Sequence, residues 1–232
     1  MTKALIAITS HYAPFYDDGA KTGLFFVEAL HPWNELTKAG IEVTYVSETG
    51  TFGWDDHSIG TDFLQGDDRK VFEDKNSPFM KSIEVVKKAS EINSADYDLI
   101  FVAGGHGTAF DFPHAKDLQA IVSDLWYAGK VVSTVCHGLC IFENLKGKDG
   151  DYLIKGKNVT GFTNIGEEQI GIVHLLTKYN IKTPQNIAAE CGATYVSPPG
   201  PWDAFTVTDG KLVTGVNPQS SVETAEKAIA LL

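Results

Sequence analysis

Short runs of β-branched and apolar residues at 4–9, 42–46, 99–102, 131–135 and 159–162 alternate with helical periodicity at 23–38, 115–127, 138–145 and 167–179. No other feature constrains the fold as strongly. Most of the apolar runs lack polar alternates, as expected of strands buried on both faces, and each helical stretch closes on Gly or Asn, as helix C-termini do. A crossover helix must return the chain to the same edge of the sheet, so strands that alternate with helices pair in parallel beneath helices on both faces. The pattern predicts an α/β chain folded as a doubly wound, flavodoxin-like three-layer sandwich with a mostly parallel sheet. Beyond residue 190 the alternation gives way to short strand signals at 195–197, 205–208 and 211–215. There Asp209-Gly210 reads as the turn of an antiparallel hairpin, and 220–232 as a closing helix. Residues 49–77, rich in Gly, Asp and aromatics, are too long for an ordinary connector and read as an insertion or lid. With 232 residues and no internal repeat, 1–232 is expected to be one domain.

Charge and cysteine usage narrow the function. Nineteen basic against 30 acidic residues leave a net charge of −11, with no basic cluster beyond Lys87 and Lys88. That gives no electrostatic footprint for nucleic acid and repels anionic substrates at long range. No run approaches the roughly 18 apolar residues of a membrane span, and the N-terminus lacks the marks of a secretory signal. The expected compartment is the cytoplasm, with the nucleus as a further one. Three cysteines, Cys136, Cys140 and Cys191, are too few and odd in number for a disulfide framework, so free thiols are expected.

One of them stands in a chemically suggestive place. In Val131-Val132-Ser133-Thr134-Val135-Cys136-His137-Gly138 an apolar strand runs into a thiol, a His and a Gly ahead of a helical stretch. A thiol on such a turn lies at the carboxyl edge of the sheet, where open α/β folds bind ligands. The N–H groups and dipole of the following helix would favour the thiolate and lower the pKa below about 8.5. Gly138 avoids crowding the turn. His137 can reach the same cleft and serve as general base if an acid orients it. The competing readings are a small buried apolar cysteine and a histidine that only caps the turn.

A second loop, Ala103-Gly104-Gly105-His106-Gly107, also follows a strand. It has neither a Walker lysine nor the G-x-G-x-x-G spacing. Paired with a nucleophile turn it reads as an oxyanion hole in which the backbone N–H groups of Gly105 and His106 donate. Glu28 lies in a helical stretch between Phe25, Phe26, Val27, Ala29 and Leu30, where desolvation would raise its pKa and keep it protonated as a donor. The alternative is an ordinary surface carboxylate. Glu28 and His31 have a metal-like i, i+3 spacing, but no second such pair exists. Glu167 and Glu168 open a helix and by themselves amount to dipole compensation.

Together these residues resemble the ThiJ/PfpI superfamily, related to class I glutamine amidotransferase domains, nearly end to end. The segments Asp18-Gly19-Ala20-Lys21-Thr22-Gly23, Glu28-Ala29-Leu30-His31-Pro32, Val46-Ser47-Glu48-Thr49-Gly50 and Gly200-Pro201-Trp202-Asp203 are similar to its fungal heat-shock branch. Several members of that branch act as glutathione-independent glyoxalase III. The resemblance implies that Cys136 is the nucleophile, His137 its partner and Glu28 the protonated carboxyl at the sulfur. It further implies Glu168 or Glu167 as the third acid. Neighbours on a helix point about 100° apart, so only one can reach His137; Glu168 is slightly favoured.

Two departures matter. Leu139-Cys140 replaces a Pro-Ala common among relatives, which would narrow the pocket and place a second thiol one turn away. The adjacency of Cys136 and His137 argues against glutaminase chemistry.

The leading expectation is a lyase of the D-lactate dehydratase type, acting on a small dicarbonyl through a Cys136 hemithioacetal with no metal or organic cofactor. A stress chaperone, a cysteine redox sensor and a peptidase are the alternatives. No nucleic-acid or membrane partner is expected, and oligomeric state, a homodimer included, is left open.

Overall fold

The computed structural model describes residues 1–232. Its main sheet holds seven strands: β1 (Lys3–Ala7), β2 (Glu42–Ser47), β3 (Lys87–Lys88), β4 (Leu99–Val102), β5 (Val131–Val135), β6 (Thr206–Asp209) and β7 (Leu212–Gly215). Their spatial order is β6-β7-β5-β4-β1-β2-β3, and every neighbouring pair is parallel except the β6/β7 hairpin. The hairpin turns at Gly210 with φ +65°, as Asp209-Gly210 predicts. β4 and β5 are buried along their whole length, which is why β4 reads as a continuous apolar run and β5 carries no charged residue.

Alternate residues feed two separate cores. Leu5 and Ala7 of β1 join Ile100, Val132 and the apolar stripe Leu118, Ile121, Val122 and Leu125 of the helix Lys116–Tyr127. Ala4 and Ile6 face the other way, onto Phe26 and Leu30 of the helix Phe26–Lys38 and Ala225 and Ala228 of Ser221–Ile229. This is the period of two expected of a strand with helices on both faces. The C-terminal stop signals also hold: Gly40, Gly129 and Asn180 take positive φ just after their helices.

Three elements differ from expectation, and each shapes the site. The strand expected at 159–162 is only Asn158–Val159, which pairs with Thr194–Tyr195 outside the main sheet. The chain then passes behind the Cys136 turn, where Phe162 N–H donates to the Cys136 carbonyl at 3.4 Å. The helix expected at 138–145 is instead a 3-10 helix, Cys136–Phe142, with all seven residues buried, so it has no polar face. The helix expected at 167–179 is two, Asn164–Gln169 and Val173–Tyr179, separated at Gly171 with φ +77°. Residues 49–77 form turns and the helix Gly66–Glu73, and Asp55, His57, Ser58, Phe63 and Asp68 from this segment line the main cavity. No helix is long and apolar enough to cross a membrane.

Candidate active site

β1 lies where the strand order reverses, because the chain runs outward through β2 and β3 and then returns to place β4 on the other side of β1. Such a switch point opens a crevice at the carboxyl ends of the strands. Three segments leaving those ends meet here: the helix Phe26–Lys38, the glycine loop after β4, and the turn after β5. They border a cavity of about 590 Å³ lined by Gly105, His106, Cys136 and His137.

Cys136 takes φ +58°, the left-handed conformation that a non-glycine residue adopts at a cost of about 1–2 kcal/mol. The strained turn is held by close backbone packing. A Cβ on Gly138 would lie 2.4 Å from the Val102 carbonyl oxygen, so only glycine lets the turn sit against β4. The result places Cys136 Sγ 3.3 Å from His137 Nδ1, although the two residues are adjacent in sequence.

His137 Nε2 lies 2.7 Å from Glu167 Oε1, and both residues are 1 % exposed. Glu168, the slightly favoured third acid, is exposed and makes no contact with His137. Thr163 explains the choice: its hydroxyl caps the helix by accepting from Gly166 N–H at 2.9 Å, which fixes the rotation of the first turn and turns Glu167 inward. Burial favours the neutral form of Glu167. The charges and hydrogen bonds of His106 and His137 outweigh it and hold the carboxyl well below the usual range.

Glu28 is wholly buried at the start of its helix. Neither of its oxygens has a hydrogen bond of good geometry, and its nearest partners are the Cys136 thiol and the Gly104 N–H. Burial outweighs both contacts and pushes the carboxyl up to about 8. Gly104 makes this approach sterically possible, since a Cβ there would lie 2.4 Å from Glu28 Oε2.

The thiol departs from the expectation of a lowered pKa. Burial raises it, as do the charge and hydrogen bond of Glu28, while the His137 N–H pulls the other way. The 3-10 helix after Cys136 presents fewer aligned dipoles than the expected α-helix, which weakens the downward pull. The Glu28 contribution depends on its ionisation. A protonated Glu28 carries no repelling charge and can donate to the sulfur, so near neutrality this contact favours the thiolate.

The backbone N–H groups of Gly105 and His106 donate to no acceptor within the chain. Gly105 takes φ +103°, and a Cβ there would lie 2.3 Å from the Gly23 carbonyl oxygen. The His106 side chain has a further place that the sequence did not suggest: its Nε2 lies 3.0 Å from Glu167 Oε2. Gly-Gly-His-Gly drew attention to backbone donors, and only the approach of the Asn164–Gln169 helix brings the imidazole to a carboxylate. The donor atoms of His106, His137 and Glu167 lie within 4.8 Å of one another. Both Nε2 atoms face carboxylate oxygens, so the trio is a hydrogen-bonded charge cluster. Leu139 and Cys140 are fully buried in the core and do not line the cavity, so they do not narrow it. His31, the metal-like neighbour of Glu28, pairs instead with Asp68 at 2.9 Å.

The DJ-1/PfpI family profile matches residues 22–231. The chain is 54% identical to Glyoxalase 3 of Candida albicans over 99% of this chain and 98% of the relative. It is 50% identical to Glutathione-independent glyoxalase HSP31 of Saccharomyces cerevisiae over the same shares. The crystal structure of glyoxalase III from Candida albicans superposes with a TM-score of 0.97 at 53% identity, covering 100% of this chain and 97% of that one. A profile match across nearly the whole chain, relatives of this identity and a shared fold lead to one conclusion: the chain belongs to the DJ-1/PfpI family.

Proposed function

We propose that this chain is a glutathione-independent glyoxalase that converts methylglyoxal to D-lactate, a lyase of the D-lactate dehydratase type. The observation that carries the reading is the line from Cys136 Sγ through His137 Nδ1 and Nε2 to Glu167, at 3.3 and 2.7 Å, opening on a cavity beside unused backbone donors. The names of the relatives above support it. The cavity lining includes Asp17, Asp18, Asp55 and Asp68 and neither Lys nor Arg. A glutathione adduct carries net negative charge and would face these carboxylates with no Lys or Arg to offset them, whereas a neutral dicarbonyl needs no such partner.

In the reaction His137 takes the thiol proton as sulfur attacks the aldehyde carbon, and returns it to the oxygen to give a hemithioacetal. His137 then removes the hydrogen from that carbon, the Gly105 and His106 N–H groups hold the enediolate oxygen, the proton returns to the adjacent carbon, and the hydroxyl proton passes from the first oxygen to the second. The product is a lactoyl thioester, which water cleaves to lactate and free thiol. The atoms balance as methylglyoxal plus water, with no external oxidant or reductant. Glu28 stays protonated and supports the sulfur.

The test is lactate formation from methylglyoxal without glutathione. Wild type should turn over, and Cys136→Ala should lose about a millionfold in rate, since a nucleophile and base that act as a unit fail together. Substantial lactate from Cys136→Ala would refute the covalent route, and none from wild type would refute the activity.

A further inference from the structure

Glu167 is shared. His137 donates to one of its oxygens and His106 to the other, at 2.7 and 3.0 Å, with the two imidazole rings 4.0 Å apart. His106 has its second ring nitrogen, Nδ1, 3.4 Å from the Tyr16 hydroxyl. The protonation of that nitrogen follows from hydrogen-bond accounting one residue further on.

The Tyr16 hydroxyl has a single proton, and it points to Asp55 Oδ2 at 2.8 Å. Asp55 also accepts from Thr22 Oγ1 at 2.9 Å and from the backbone N–H groups of His57 and Ser58, each at 3.1 Å. A carboxylate with four donors around it is an acceptor only, so Tyr16 must donate to it. The Tyr16 oxygen can then only accept from His106, which puts a proton on Nδ1. The other proton, on Nε2, is required by the Glu167 carboxylate. His106 therefore carries both protons. His137 differs, because its Nδ1 faces the Cys136 sulfur and must be free to accept the thiol proton.

We propose that His106 is a standing imidazolium, a positioning residue that Tyr16 and Asp55 hold protonated and that acts through Glu167 to keep His137 neutral at rest. The chain Asp55–Tyr16–His106–Glu167–His137 would thereby connect residues 49–77 to the catalytic base. The physical logic is charge balance. A buried Glu167 serving His137 alone would pull a second proton onto it and disable it as a base, whereas a fixed positive charge on the far oxygen offsets that pull.

The groups facing His106 are Glu167, Tyr16, Asp55 and His137; its remaining ring contacts are Phe15 and Phe162. Burial alone would lower the His106 pKa, and Glu167 and Asp55 reverse it to a net rise. Burial and the His106 charge lower His137 against the pull of Glu167. The resting site is then a neutral thiol beside a neutral imidazole, and the proton moves only when a carbonyl arrives.

This inference rests on His137 as the base of the proposed reaction, but its main test needs no turnover. Protein labelled with 15N-histidine, with His106 assigned by His106→Gln, should show both His106 ring nitrogens protonated at pH 7. His137 should appear as the neutral Nε2–H tautomer. In Tyr16→Phe the His106 titration midpoint should fall by on the order of one pH unit. The acid limb of the kcat/KM profile should move up, since Glu167 then serves His137 more strongly. A neutral His106 at pH 7 in wild type overturns the inference even if lactate is made, and so does a Tyr16→Phe protein whose His106 spectrum and pH profile are unchanged. If wild type makes no lactate, the spectrum still decides the protonation states.

Discussion

At the scale of single residues, two side chains of the candidate site cost the fold stability. Cys136 is held in the left-handed region, and Glu28 is buried with neither oxygen in a hydrogen bond of good geometry. The cost of Glu28 depends on pH in a direction that can be worked out. Its folded pKa is raised to about 8 by burial, above its value of 4.5 in an open chain. The folded state therefore holds the proton more tightly. The resulting contribution to stability is fully present below 4.5 and is lost as pH rises through 8. Across that window the loss is on the order of 4 kcal/mol. Glutamine occupies the same volume and does not titrate. Glu28→Gln should thus gain on wild type between pH 5 and pH 8, widening the difference in Tm by roughly 10 °C. Thermal unfolding at the two pH values checks this, and a constant difference would mean that folding does not raise the pKa of Glu28.

At the scale of elements, the site depends on how one short helix is rotated. The Thr163 cap starts the helix Asn164–Gln169, and Gly171 ends it two residues later. Within this single turn Glu167 faces two histidines and Glu168 faces solvent. Glu167→Gln keeps the shape but replaces a charged acceptor of two imidazoles with an amide. Its kcat/KM should fall by about a thousandfold to ten-thousandfold, the scale seen when a histidine loses its orienting carboxylate. Glu168→Gln should stay within about twofold of wild type, as exposed substitutions generally do. Steady-state rates for the two variants under the same conditions decide between them, and a larger loss in Glu168→Gln would reverse the assignment. The resemblance narrowed the acid to this pair, and helix geometry added that only one of two neighbours could reach His137. The sequence could not choose, because the 167–179 pattern read as one helix and hid both the earlier start and the break.

At the scale of the whole molecule, the sheet separates the thiols. Cys136 opens on the cavity, while Cys140 and Cys191 belong to the core on the other face and are 0 % and 2 % exposed. Burial also pushes the Cys191 thiol up to about 12. A reagent reaches these two only when the structure opens, so their labelling rates follow the population of unfolded chain. Limited alkylation with peptide mapping should modify Cys136 first. Sub-denaturing urea should accelerate Cys140 and Cys191 far more than Cys136. Equal labelling of all three in native buffer would count against this placement.

The sequence by itself determined the architecture, because strands buried on both faces and amphipathic helices leave their periodicities in the order of residues. β4, β5, the hairpin turn and the helix stops were all legible for that reason. It also pointed to the Cys136-His137-Gly138 turn and favoured a buried Glu28 over a surface carboxylate, since the apolar neighbours of each are local in the chain. Only the tertiary structure decided what depends on contacts between distant segments. It put the imidazole of His106 on Glu167, Gly104 beneath Glu28, and Tyr16 and Asp55 behind the second histidine. It also set the thiol against the expected helix effect, because desolvation at Cys136 comes from segments far away in the chain that no local pattern records.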